Sequence, residues 1–143
     1  MVKGDDTIRI YNVHLQSLRI DHVENLKTVD SKKLIRRVGE TFEMQQFQSE
    51  LFVKHKEKSP FKMIICGDFN NTAHSYVYKK IKGDLVDAFR EAGNGFGRTF
   101  DYKYFPVRID FILADEAFTI NNFKTFEEKF SDHYPILSKV SLD

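Results

Sequence analysis

Phe61-Lys62-Met63-Ile64-Ile65-Cys66-Gly67-Asp68-Phe69-Asn70 is the stretch on which the fold turns. Phe61 to Cys66 form a short apolar run with β-branched members, stopped by Gly67, and read as a buried strand. Gly67 to Ala73 reads as a loop. Asp68 and Asn70 stand at i and i+2 around an aromatic residue, so both polar groups can point to one side. Rigid backbone meets solvent at strand ends, and side chains there can converge on a shared site. A lone aspartate in such a position is more often a turn or cap residue, so the reading depends on what else the chain brings.

Toward the N-terminus, Lys32 to Lys56 carry the longest helical pattern. Ile35, Val38, Phe42, Phe52 and Val53 recur at three- and four-residue steps between charged residues. Gln45, Gln46 and Ser49 interrupt this stripe, so the buried face is expected to be partly polar there. Asp30 or Ser31 can cap the helix, and Ser59-Pro60 stops it. Gln16 to Asp30 lack a clean period and read as a loop. Before them, Thr7 to Leu15 alternate apolar and polar, which predicts a strand ending near His14.

Toward the C-terminus, Ser75 to Lys82 read as a short helix, and Leu85 to Arg90 fit either helix or strand. Three glycines make Ala92 to Arg98 irregular. Arg108 to Ala114 and Phe118 to Phe126 read as strands. Ser131-Asp132-His133 then form a loop leading into a last strand, Ile136 to Leu142. No repeat or linker interrupts the 143 residues, so one domain over 1–143 is expected.

The bulk composition narrows the function. At 41% apolar and 30% charged, the chain has the make-up of a soluble globular protein. It contains no apolar run long enough to span a bilayer, and no apolar segment follows Lys3 to make a signal peptide. Net charge is +1, so any contact with nucleic acid or another phosphate ester must be local. The single Cys66 excludes an internal disulfide and leaves the redox compartment open. The 14 Phe and 6 Tyr, many of them in strand-like runs, read as core.

Four segments place ligand-type side chains at strand ends: Asn12-Val13-His14-Leu15, Gly67-Asp68-Phe69-Asn70, Arg108-Ile109-Asp110-Phe111 and Ser131-Asp132-His133-Tyr134-Pro135. Each alone also reads as a turn, a cap or a hydrogen-bonded half-buried residue. Together they form a hydrolytic inventory of two histidines, three aspartates and an asparagine. Carboxylate and amide oxygens are hard ligands suited to Mg²⁺ or Mn²⁺. A histidine beside a carboxylate is held in one tautomer and can act as acid or base. There is no zinc-type Cys/His spacing, no G-x-x-x-x-G-K-[ST] or G-x-G-x-x-G loop and no G-x-S-x-G elbow. Cys66 lies inside an apolar strand, where a thiolate is disfavoured.

In order, N-x-H-L, G-D-F-N, R-I-D-F-I and S-D-H-Y-P-I resemble the C-terminal signature of the endonuclease/exonuclease/phosphatase superfamily. The resemblance implies a layered α/β fold: one mostly antiparallel or mixed sheet with helices on its outer face, about half of the DNase I-like four-layer αββα sandwich. By resemblance, Asp68 orients or deprotonates the attacking water, and Asn70 stabilises charge on phosphoryl oxygens. Asp110 pairs with the closing histidine or contacts a second metal, and Asp132 ligates a metal. His133 binds the scissile phosphate or acts as general base, and His14 is the other phosphate-contacting histidine. Asp68 and Asn70 join Asp132 as metal-site residues. The implied function is a Mg²⁺- or Mn²⁺-dependent phosphoesterase, with in-line attack of water on phosphorus.

That resemblance also implies an N-terminal half with an early asparagine and a metal-ligand glutamate. No strand here ends in such a glutamate: Glu24 sits in a loop, Glu40 and Glu43 in the long helix, Glu127 and Glu128 in a polar turn. A C-terminal portion of the domain is therefore expected, with poor Mg²⁺ affinity, weak or absent hydrolysis and an apolar sheet face that favours self-association. The alternative is a non-catalytic binding or interaction module that retains the fold. The expected substrate is a phosphate ester of a nucleic acid, a nucleotide or a lipid or inositol headgroup. Arg98 and Lys79 are the candidate substrate contacts, among basic groups that include Lys32-Lys33, Arg36-Arg37, Lys80 and Lys82. Phe96, Phe100, Tyr102, Tyr104 and Phe105 either line a cleft or pack their own loop.

Overall fold

The computed structural model describes residues 1–3, 6–18, 31–102, 105–128 and 130–142. The elements run β1 (Val2–Lys3), β2 (Asp6–His14), α1 (Ser31–Lys56), β3 (Lys62–Asp68), α2 (Tyr76–Lys82), β4 (Val86–Asp87), α3 (Ala88–Ala92), β5 (Asp110–Ala114), β6 (Phe118–Thr125) and β7 (Ile136–Leu142). Five strands form one mixed sheet in the order β1-β2-β3-β5-β4, and β6 and β7 form a separate antiparallel pair. This is the mixed α/β layering that the sequence implied. The expected Asp30 cap, most of the Gln16–Asp30 loop and Tyr104 lie outside the described residues.

The central strand β3 pairs with β2 in parallel and with β5 antiparallel. Both its faces are covered, which is why its sequence is a continuous apolar run rather than an alternation. Ile65 points into a core with Leu15, Phe69, Val77, Tyr78, Ile81, Leu85, Phe111 and Leu113. Ile64 points the other way, toward Ile8, Ala88, Ala114, Phe118, Ile120 and Phe123. Each large apolar side chain fully buried this way contributes about 1.5–3 kcal/mol. Helices α1 and α2 therefore cover one face, and α3 with the β6–β7 ladder covers part of the other. The face expected to stand open to water is narrower than anticipated: Ile8 is buried, while Ile10, two residues along β2, is 51% exposed.

One sequence expectation needs correction, and one segment left open is resolved. Ile35 and Phe42, assigned to the buried stripe of α1, are exposed, and the residues buried from that helix are Thr41, Gln45, Ser49 and Val53. Gln45 donates to the loop carbonyls of Gln16 and Asn70, while Thr41 and Ser49 donate back to the Arg37 and Gln46 carbonyls of their own helix, so each buried polar group has its partner. Leu85 to Arg90 resolve into the two-residue β4 followed by α3. Asp87 caps α3, accepting from the Phe89 and Arg90 amides. Its buried carboxylate also holds Arg108 Nη1 at 2.9–3.0 Å and accepts from the Tyr78 hydroxyl. The Arg108 guanidinium lies 4.6 Å from the Phe89 ring centre and 4.7 Å from that of Phe111. Burial and the Asp87 hydrogen bond push the Tyr78 phenol up to about 12. Arg108 of the R-I-D-F segment is thus a structural residue. Among the described residues, no helix is long and apolar enough to cross a membrane.

Candidate active site

Cross-strand register builds the site. His14 at the end of β2 is the partner of Asp68 at the end of β3, and Asp68 is the partner of Asp110 at the start of β5. Because side chains alternate along each strand, three residues in register across adjacent strands share a face. All three are therefore brought to one edge of the sheet without any loop having to aim them.

Gly67 makes this edge attainable. Its φ is +146°, and a Cβ there would sit 1.8 Å from the Val13 carbonyl oxygen. Only glycine allows β2 and β3 to approach one residue before His14 and Asp68. After Asp68 the chain turns at Asn70, whose φ of 48° is left-handed, a conformation that asparagine tolerates better than most residues. The turn folds Asn70 back on Asp68. Its backbone N–H donates to Asp68 Oδ1 at 2.7 Å, and its Nδ2 donates to Oδ2 at 2.9 Å and to the Leu15 carbonyl at 3.0 Å.

The fourth motif arrives from a loop. His133 Nδ1 lies 2.9 Å from Asp110 Oδ2, and its ring stacks 5.0 Å from that of Phe100. The other ring nitrogen, Nε2, faces Asp68 Oδ2 at 3.9 Å, and His14 Nε2 approaches the same oxygen at 3.7 Å. Buried Thr99 supports this side. Its Oγ1 accepts the Ile109 and Asp110 amides at 3.0 and 3.1 Å, and its carbonyl accepts from Tyr134 N–H at 2.8 Å. One residue thus fixes the backbones of both Asp110 and the loop bearing His133.

Burial pushes the Asp68 carboxyl above its ordinary value, and the Asp110 charge adds to this; the Asn70 amide, His133 and His14 pull it partly back. Ligand atoms of Asp68, Asp110 and His133 all lie within 4.8 Å of one another. Two carboxylates and an imidazole converge on one small, partly solvated space, an arrangement able to hold a cation and to move a proton.

Residues 31–133, which span α1, the G-D-F-N and R-I-D-F motifs and Ser131-Asp132-His133 of the last, match the endonuclease/exonuclease/phosphatase family. The chain belongs to that family. Its members are hydrolases of phosphoester bonds. No curated protein matches the sequence significantly. Among solved structures, the family protein from Bacteroides vulgatus is 26% identical over 71% of this chain and 45% of its own, with a TM-score of 0.60. The family protein from Leptotrichia buccalis is 20% identical over 99% of this chain and 52% of its own, with a TM-score of 0.62. A Neisseria 3′ phosphatase bound to a product DNA hairpin is 17% identical over 73% of this chain and 55% of its own, with a TM-score of 0.57. The chain spans about half the length of the solved structures that it matches.

Within this family fold, His14, Asp68, Asn70, Asp110 and His133 come together, and three further candidates do not. Asp132 is exposed and outside the three-residue cluster; its backbone carbonyl accepts from Asp101 N–H at 2.8 Å. Arg98 pairs with Asp101 at 3.0 Å and stacks 4.3 Å over Tyr134. It lines an open cavity of about 780 Å³ with Phe96, Phe123 and Lys124, and none of Asp68, Asp110 or His133 borders that space. Lys79 is exposed on α2. Sequence reasoning missed Thr99 altogether. The only hint was a polar β-branched residue among aromatics, nine residues before the R-I-D strand.

Proposed function

We propose that the protein is a divalent-metal-dependent phosphoesterase, in which water attacks phosphorus in line at the Asp68–Asp110–His133 edge. The observation that carries this reading is the Asp110–His133 pair facing Asp68. A carboxylate on Nδ1 favours the tautomer with its proton there, so Nε2 is left to take a proton from water or, once protonated, to donate to a phosphoryl oxygen. Asp68, which faces Nε2 of both His14 and His133, orients or deprotonates the water. Asn70 directs its amide donor at Asp68, and His14 supplies a second donor for the phosphate. In such sites the loss of one charge-stabilising donor costs about 10²–10³ in rate.

The carboxylates of Asp68 and Asp110 suit a hard cation such as Mg²⁺ or Mn²⁺, and His133 Nε2 beside them is left for the proton. When bound, the cation would offset negative charge on the phosphate. Asp132, exposed just before His133, is a further candidate ligand. Asn70 is another candidate through its amide oxygen Oδ1, while its Nδ2 donates to Asp68 and Leu15.

The substrate class extends over nucleic acids, nucleotides and lipid or inositol phosphates. The Neisseria 3′ phosphatase makes 3′-phosphorylated DNA the first to try. Arg98 and Lys79 are the proposed cationic contacts for parts of the substrate away from phosphorus. In this reading residues 1–143 are one domain that self-associates through the sheet face left open at Ile10. A concentration-independent monomer in light scattering would remove the self-association.

The test is hydrolysis of 3′-phosphorylated DNA, supercoiled DNA and a chromogenic phosphodiester with Mg²⁺ or Mn²⁺, beside Asp68→Asn and His133→Ala. Turnover lost in both variants supports the reading. Absence of turnover in the wild-type chain, the other outcome expected of a C-terminal portion, removes catalysis from this chain and favours the binding module.

A further inference from the structure

Gln45 is a fully buried amide in the middle of α1. Burying an amide in a protein interior is unfavourable unless its hydrogen bonds are replaced, and here they are. Nε2 donates to the Gln16 carbonyl at 2.7 Å and to the Asn70 carbonyl at 3.2 Å, while Oε1 accepts from Asn71 Nδ2 at 2.9 Å. These partners belong to two separate loops. Gln16 follows His14 and Leu15 at the end of β2; Asn70 and Asn71 follow Asp68 at the end of β3. The neighbouring turn of the helix adds Gln48, whose Oε1 accepts from Gln16 N–H at 2.9 Å. The reversed orientation of the Gln45 amide would set its oxygen against two carbonyls and its NH₂ against the Asn71 NH₂, so the network fixes which way it points.

The consequence reaches Asp68 through Asn70. Asn70 holds a left-handed turn and bridges Asp68 to Leu15 with its own side chain. Gln45 grips the carbonyl of that same residue and the carbonyl next to Leu15. We propose that Gln45 is a positioning residue, which clamps the β2 and β3 exit loops so that Asn70 stays hydrogen-bonded to Asp68 beside His14; its catalytic consequence rests on the phosphoesterase reading above.

The test uses the full chain with Gln45→Leu, which keeps volume and removes every hydrogen bond, and Gln45→Glu, which keeps shape and removes the donors. The first readout needs no activity: the Asn70 side-chain NH₂ resonances and their solvent exchange by NMR. Expected is loss of their protection in both variants, while the Asp110 amide, bonded to Thr99, keeps its own. Unchanged Asn70 NH₂ resonances in both variants would overturn the proposal. So would equal loosening at Asp110, because it would mean general destabilisation. Where the wild type turns over a phosphodiester, Gln45→Leu should lower kcat about 10- to 100-fold with little change in KM. It should add little further loss in an Asn70→Ala background, whereas full additivity of the two losses would overturn the link through Asn70. If the wild type shows no turnover, the phosphoesterase reading fails and the NMR comparison still decides the role of Gln45.

Discussion

Asp68 and His133 face each other across the candidate site, yet the backbone behind each is held differently. Asp68 belongs to the central strand, with a neighbour in register on either side, a glycine that admits close approach and a helix amide gripping the turn beyond it. His133 sits in a loop held to residues 99–101 by an isolated bridge to Phe100 and the Tyr134–Thr99 and Asp101–Asp132 hydrogen bonds, and to the sheet by its own contact with Asp110. The first half is over-determined by packing, so steric change should break it while loss of one hydrogen bond need not. The second half rests on a few polar contacts, so each has more influence on geometry than on global stability.

That contrast is sharpest at Gly67. Replacing it by alanine drives a methyl group into the Val13 backbone, and the strands must part or the chain must unfold. A loss of about 4 kcal/mol in urea denaturation is expected, the size that marks backbone strain in a core. A loss below about 1 kcal/mol would show that the parallel pair is looser than its register implies. On the other half, His133→Ala should leave the denaturation midpoint nearly unchanged. In the proposed reaction it should lower turnover about 10²- to 10⁴-fold. An equal fall in both quantities would break the distinction between the halves.

Thr99→Val tests the polar support of the second half. It preserves shape but leaves the Ile109 and Asp110 amides without their acceptor, a cost of about 2 kcal/mol. Chemical shifts should change at Asp110 and His133 and stay fixed at Asn70.

Smallest is the stability effect of Asp68→Asn, and its sign follows from burial. A carboxyl whose value is raised in the folded state binds its proton more tightly there than in the unfolded chain. Folding therefore loses stability as pH rises from the ordinary value of 3.8 to the raised one, and the penalty stays constant above it. The difference in Tm between the asparagine variant and the wild type should shift in favour of the variant between pH 3.5 and 7. A difference that moves the other way would mean that the Asn70 hydrogen bond and the two histidines outweigh burial.

Much of this architecture is legible in the sequence because its strongest signals are local. The apolar run before Gly67, the alternation before His14 and the R-I-D-F-I-L-A segment each declare a strand, and the structure has one at each. The convergence of His14, Asp68, Asn70, Asp110 and His133 is legible from the ordered motifs, since each stands at or beside a strand end. The buried face of α1 is not. Periodicity assigns Ile35 and Phe42 to it, whereas buried Gln45 is matched to carbonyls of residues 16 and 70, far away in sequence. Thr99 and Asp87 escaped notice for the same reason: a buried polar residue is defined by its partners, and these come from other elements. Element β4 is too short to carry any periodicity at all.

The parallel pairing of β2 with β3 also bears on how the molecule forms. Parallel neighbours cannot be joined by a tight turn, so the chain must travel out through α1 and return before His14 can meet Asp68. Closing so long an excursion costs entropy before any contact repays it, and non-local contacts of this kind slow folding. On refolding, the helical signal of α1 should return first. The native environment of Asp68 and His14, followed by NMR or by any turnover, should appear only once the crossover has closed.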